Sequence, residues 1–386
     1  MTLPRLRDDI QVLGAYHSPQ LEVDVRLNTN EAPEPPPAGF SVAVGKAISA
    51  VEWHRYPDRS ATELREAVGL LHSCAANQVF CANGSNEVLQ TILLAYSGVG
   101  RKVLTFEPTY AMHGHIARVV GASVVRGSRG SDFSVVVDEA SELIRTHQPA
   151  ITFLCSPNNP TGTAESEDTI RSVLVEVEEV GGLLVVDEAY GQFASWSALE
   201  VVDDHAPLVV TRTFSKTWAM AGARLGYCVG PAPLVQELNQ TVLPYHLDSA
   251  KQVAGVTALG FVDEMESRVA QIVEQRGRLS VALADMGATV WPSAANFILF
   301  RPPSLAGVKP GEDAKALWEA LVRRSVLIRD TSSWEHLPGC LRVTVGSVSD
   351  NDRFLHAMAE CLHELGAPIG QTNPSPTSQA NRQSTL

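Results

Sequence analysis

The chain has 386 residues, 45% of them hydrophobic, and its 43 acidic against 30 basic side chains leave a formal net charge of -13. That balance, with no basic cluster, argues against a nucleic-acid partner, whose phosphates demand concentrated Lys and Arg, and no apolar run approaches the ~20 residues that span a membrane. The length suits two domains with a large core, the charged start MTLPRLRDDI lacks a signal-peptide core, and six cysteines without CxxC pairs read as reduced core thiols, so the cytoplasm is the expected setting.

Residues 1–40 read as an arm, because LNTNEAPEPPPAGF is too proline-rich for a helix interior or a central strand. The arm holds Tyr16, Asn30 and Glu31. From Ser41 the pattern turns helical, and WHRYPDRSATELREAV places Tyr56 before a turn at Pro57 and another helix. QVFCANGSNEVLQTILLAY follows as a short strand, a glycine turn and an amphipathic helix, with Gly84, Ser85 and Asn86 at the helix start. N–H groups there, reinforced by the helix dipole, bind phosphate; the same residues also read as a plain N-cap with Ser85 capping. KVLTFEPTYAMHGHIARVVGA repeats the pattern and carries Tyr110. His113 and His115 lack a third ligand and read as ordinary helix residues rather than a metal site.

SVVRGS, a helix from Asp138, the strand ITFL, an acidic helix over 166–180 and the strand LLVV continue the alternation. It predicts an α/β fold with a mostly parallel sheet covered on both faces. Two of these strands end in polar residues: ITFL opens into CSPNNPTGT with Asn159, and LLVVDEAYGQF puts Asp187 and Tyr190 at its carboxyl end. Ligands of such sheets collect at those ends, although an aspartate there can also cap a helix or form an ion pair. TRTFSKTWAMAGARLGYCVG then sets Lys216 among hydroxyls, small residues and apolar residues. A lysine so placed suits a nucleophile toward a carbonyl, since desolvation lowers its pKa. Thr213 and Ser215 offer hydroxyls to a phosphate and Arg224 a fixed charge, while the short motif FSK alone also suits a solvated turn lysine.

After Gly230, PAPLVQELNQ is helical, and a long helix with breaks is expected from about Ser249 to Asp285. GATVWPSAANFILF, a helix from Glu312, SVLIRD, CLRVTVGS and a helix from Ser349 compose a smaller α+β domain carrying Arg329 and Arg342. The final stretch, rich in Pro and Ser and without periodicity, reads as a disordered tail. The expected divisions are a 1–40 arm, a 41–248 large domain, a 249–366 small domain with its interdomain helix, and a 367–386 tail.

The order Asn159, Asp187, Tyr190, Lys216, Arg224 resembles the pyridoxal-phosphate-dependent aminotransferases of fold type I, over roughly residues 15 to 365. The resemblance implies a large domain built on a mostly parallel seven-stranded sheet. It also implies Asp187 facing the pyridine nitrogen, Asn159 and Tyr190 on the ring's 3-oxygen, and Lys216 holding the aldehyde as a Schiff base and shuttling the substrate proton. Ser85, Asn86, Thr213, Ser215 and Arg224 would surround the phosphate and Tyr110 would stack on the ring. RYPD resembles the family segment whose tyrosine, here Tyr56, reaches the cofactor phosphate of a neighbouring subunit, so a homodimer is implied; otherwise Tyr56 packs under the Pro57 turn. Asn30 and Glu31 resemble the NENP element of the histidinol-phosphate aminotransferase subgroup, with Ala32 departing from its usual Asn, and Tyr16 falls where the subgroup has a tyrosine near the substrate. Arg342 matches the arginine that grips the substrate α-carboxylate, and with Arg329 it would meet a substrate phosphate; each could instead be a plain surface charge. The implied reaction is amino transfer from L-histidinol phosphate to 2-oxoglutarate. An aromatic amino-acid aminotransferase and a threonine-phosphate decarboxylase remain open on the same scaffold, whereas a non-catalytic sensor would need a DNA-binding domain for which the arm is too short.

Overall fold

The computed structural model describes residues 4–11, 20–309 and 311–367. Tyr16 and the expected tail from 368 onward lie outside them. Among the described residues twelve strands occur in chain order: β1 (Val25–Leu27), β2 (Val79–Ala82), β3 (Lys102–Glu107), β4 (Ser123–Ser128), β5 (Ile151–Cys155), β6 (Leu183–Asp187), β7 (Leu208–Thr213), β8 (Gly226–Val229), β9 (Thr289–Val290), β10 (Phe297–Arg301), β11 (Val326–Asp330) and β12 (Leu341–Thr344). Seven of them form the expected mostly parallel sheet, ordered β2-β8-β7-β6-β5-β3-β4, with β8 antiparallel to both its neighbours. Strands of such a sheet are buried on both faces and therefore read as continuous apolar runs, as ITFLC and LLVVD do. Successive side chains alternate between the faces. Leu184 and Val186 thus pack with Ile170 and Val173 of the Glu167–Glu179 helix, while Val185 joins Leu89 and Ile92 of the Ser85–Tyr96 helix on the other side.

The remaining strands form a second sheet in the order β1-β11-β12-β10-β9, antiparallel except for the β1–β11 pair. Its core joins Phe297, Phe300, Val343 and Phe354 with Leu279 and Leu283. β1 lies within the stretch expected to be an arm. Val25 and Leu27 are buried while Arg26 points out, an alternation that the prolines downstream overshadowed. The long helix expected from Ser249 is two, Ser249–Leu259 and Val262–Asp285, separated at Gly260 and Phe261.

Candidate active site

A cavity of about 750 Å³ opens where the carboxyl ends of β3, β5, β6 and β7 face β11 and β12 of the second sheet. The parallel topology places it there, since loops leaving neighbouring strands diverge at those ends. At its buried end Asp187, the last residue of β6, accepts hydrogen bonds from His113 Nε2 (2.8 Å) and Thr211 Oγ1 (3.2 Å) and from the Ala189 N–H (3.1 Å). His113 is fully buried and stacks flat on Phe153 with ring centroids 4.6 Å apart. A convergence of three donors fixes the Asp187 carboxylate in one orientation.

Lys216 follows β7 and donates from Nζ to the Thr29 carbonyl at 3.2 Å, with Tyr190 5.7 Å away across its ring. Burial, with Arg342 and then Arg224 adding repulsion against an opposing Glu31, lowers the amine to about 7. Near neutral pH a large share of it is therefore an unprotonated nucleophile. Tyr190 packs edge-on against Phe297, accepts from Asn30 Nδ2 at 2.9 Å, and is pushed up to about 12 by burial, so it stays a phenol.

The next feature is an anion cradle. Gly84, not Ser85, is the N-cap of the Ser85–Tyr96 helix, whose first N–H groups, those of Ser85 and Asn86, have no preceding helical carbonyl to meet. Glycine is required there: φ is +80°, and a Cβ would come within 2.8 Å of Arg224 Nη2. A Cβ at Gly226 would likewise strike the Ser85 nitrogen at 2.4 Å. Arg224 Nη1 donates to Ser215 Oγ (3.2 Å), and Thr213 Oγ1 donates to the same oxygen (3.0 Å). Glu87 turns back to accept from the Asn83 side chain at 2.7 Å, which keeps its charge out of the cradle. Tyr110 donates to Asn86 Oδ1 at 3.1 Å above it.

The opposite wall comes from the second sheet. Arg342 donates to Asn159 Oδ1 (2.5 Å) and to the Asn28 carbonyl (3.0 Å), and its guanidinium lies over Phe297. Arg329 is directly opposite it in the β11–β12 register and lies over the Trp334 ring at 5.4 Å. Both arginines are nearly buried and line the cavity.

The cavity thus gathers Asn30, Ser85, Asn86, Tyr110, Asn159, Asp187, Tyr190, Thr213, Ser215, Lys216, Arg224, Arg329 and Arg342. Tyr56 does not line it; 79% exposed, it stacks on Tyr245 elsewhere on the surface. Sequence reasoning missed His113, for which a histidine three residues past Tyr110 was the available hint. It also missed Asn158, which is fully buried and bridges two cavity loops by donating to the Pro108 carbonyl (2.9 Å) and accepting from Thr109 Oγ1 (3.0 Å). Arg126, Trp334 and Glu335 complete the mouth.

The model of the family described as aminotransferase class I and II matches residues 22–358. A histidinol-phosphate aminotransferase of Frankia casuarinae is 42% identical over 377 residues, covering 95% of this chain and 91% of that protein. One from Corynebacterium diphtheriae is 40% identical, covering 93% and 97%. Among solved structures, the histidinol-phosphate aminotransferase of Sinorhizobium meliloti in complex with pyridoxal-5'-phosphate aligns with a TM-score of 0.85 at 22% identity, covering 94% of this chain and 99% of that one.

Proposed function

The chain belongs to the class I and II aminotransferases, and on that premise we propose that it moves the amino group of L-histidinol phosphate to 2-oxoglutarate, giving imidazole acetol phosphate and L-glutamate. The observation that carries the substrate assignment is Arg329 opposite Arg342 in one strand pair. Like charges directly opposed are destabilising, so the arrangement suits an anion that takes both guanidiniums. A phosphate matches two planar forks better than a single carboxylate does.

The residues present fit pyridoxal phosphate: the glycine-cleared cradle of Ser85, Asn86, Thr213, Ser215 and Arg224 suits its phosphate, and Asn159 and Tyr190 suit its ring oxygen. Bound there, it supplies an aldehyde open to amines and a ring that accepts electrons from the substrate α-carbon. Asp187, oriented by His113 and Thr211, holds a proton at the ring nitrogen. Lys216, with its lowered amine, takes a proton from the substrate α-carbon and returns it. Tyr110 covers the ring face and excludes water. Arg342 holds the substrate's anionic end against Asn159.

The working form is a homodimer in the cytoplasm, with Tyr56 reaching the cofactor phosphate of the second subunit. Support comes from the exposure of Tyr56 together with Trp53, Leu243 and Tyr245, a set of large apolar side chains that an interface would cover. All six cysteines are free thiols, in keeping with a reducing compartment. No helix among the described residues is long and apolar enough to cross a membrane.

Product analysis tests the reading. Glutamate should form from L-histidinol phosphate and 2-oxoglutarate without release of carbon dioxide. Arg329→Ala should lower kcat/KM for L-histidinol phosphate about 10- to 100-fold, the value of a charge-assisted bond, while L-phenylalanine loses far less. An equal loss with both donors sinks the phosphate assignment.

A further inference from the structure

A transaminase that alternates between these two substrates admits both to one space, and they differ most at the end away from the reacting carbon. One carries an imidazole there, the other a second carboxylate. The cavity is lined by four arginines. Arg329 and Arg342 face one end from adjacent strands, and Arg224 belongs to the cradle beside Ser215. Arg126 alone of the four comes from β4, at the edge of the larger sheet.

Arg126 touches two carboxylates of unequal mobility. Glu107, whose nearest approach is 3.6 Å, is tied down: its Oε1 accepts from Thr105 Oγ1 (3.1 Å) and its Oε2 from the Thr109 N–H (3.2 Å). Glu335, in close contact with the guanidinium, stands on the loop between β11 and β12. The pair is open to solvent, with the arginine side chain 43% and the glutamate 52% exposed. An ion pair this exposed contributes little to stability and is readily exchanged. A carboxylate delivered on a molecule already anchored at its other end arrives with its translational freedom spent, so it competes well with Glu335.

We propose that Arg126 binds the distal carboxylate of 2-oxoglutarate and glutamate by giving up Glu335, and turns back to Glu335 when the imidazole-bearing substrate fills the same space. The proposal rests on the amino-transfer reading above. It makes Glu335 a built-in competitor of the dicarboxylate, so neutralising the two partners should act in opposite directions.

The test measures the two half-reactions of the holoenzyme separately and, independently of turnover, the binding of the unreactive dicarboxylate succinate by calorimetry. Arg126→Gln should lower kcat/KM for L-glutamate and succinate affinity about 10- to 100-fold, with the L-histidinol phosphate half-reaction shifting by about threefold at most. Glu335→Gln should raise both dicarboxylate readouts. Equal slowing of both half-reactions by Arg126→Gln, unchanged succinate binding, or a wild type that neither reacts with glutamate nor binds succinate overturns the proposal. A wild type that reacts with glutamate but not with L-histidinol phosphate refutes the donor assignment instead, and leaves the Arg126 comparison readable.

Discussion

Arg126 and Arg129 stand three residues apart at the same sheet edge, and each meets a glutamate, yet the two pairs have opposite characters. Arg129 and Glu165 have side chains only 1% exposed. Arg129 also donates to the carbonyls of Phe106 (3.2 Å), Phe133 (2.8 Å) and Cys155 (3.3 Å), and Glu165 accepts from the Val135 N–H (3.1 Å). Arg126 and Glu335 are half in water. The buried pair ties the end of β5, from which the Asn159 loop departs, to the β4 exit. The open pair crosses the cavity mouth and ties nothing irreplaceable. Groups that must stay fixed are thus saturated with partners at the closed end, and groups that must adapt to two substrates are left loosely held at the open one.

The largest expected effect lies at the closed end. Lys216→Ala should abolish the visible absorbance of the purified protein and lower turnover by at least about 10⁴-fold, and a variant that keeps normal turnover contradicts the mechanism. Next, Arg129→Met should cost about 3–5 kcal/mol in urea unfolding, because it strands a buried Glu165. Asp187→Asn, which removes the charge that His113 and Thr211 orient, should lower kcat about 10²- to 10³-fold with little change in unfolding. The lowered Lys216 amine sharpens the contrast further. Since the amine reacts only when deprotonated, uptake of pyridoxal phosphate by the apo-protein should quicken with pH and level off above about 7. A rate still climbing toward the ordinary lysine value of 10.5 would show that the site does not desolvate the amine. The smallest effect closes the series: Arg126→Gln should change unfolding stability by less than about 1 kcal/mol. A loss matching that of Arg129→Met would erase the distinction between the pairs.

The closed end was also the part legible in the sequence. Asp187 ends an apolar strand, and Asn159 and Lys216 stand on the loops that leave two others, so polar residues closing a buried run mark a strand end and hence the site. Arg329 and Arg342 stand out as charges inside β-rich runs. His113 did not, because a histidine in an amphipathic helix looks the same whether it faces water or a carboxylate. β1 was hidden by the prolines that follow it, although Val25 and Leu27 alternate as a strand should. The mouth left no local trace at all: Arg126 and Glu335 are 209 positions apart and meet only because two separate sheets face one another. Tyr56 does not line its own chain's cavity.

The reaction of this chain turns on the identity of the amino donor. It is tested most directly by mixing the pyridoxal form with L-histidinol phosphate or with L-phenylalanine in a single turnover and following loss of the visible band. A much larger second-order rate for L-histidinol phosphate is the predicted result, and a faster reaction with L-phenylalanine would keep the closed end as described while contradicting the phosphate role of Arg329 and Arg342.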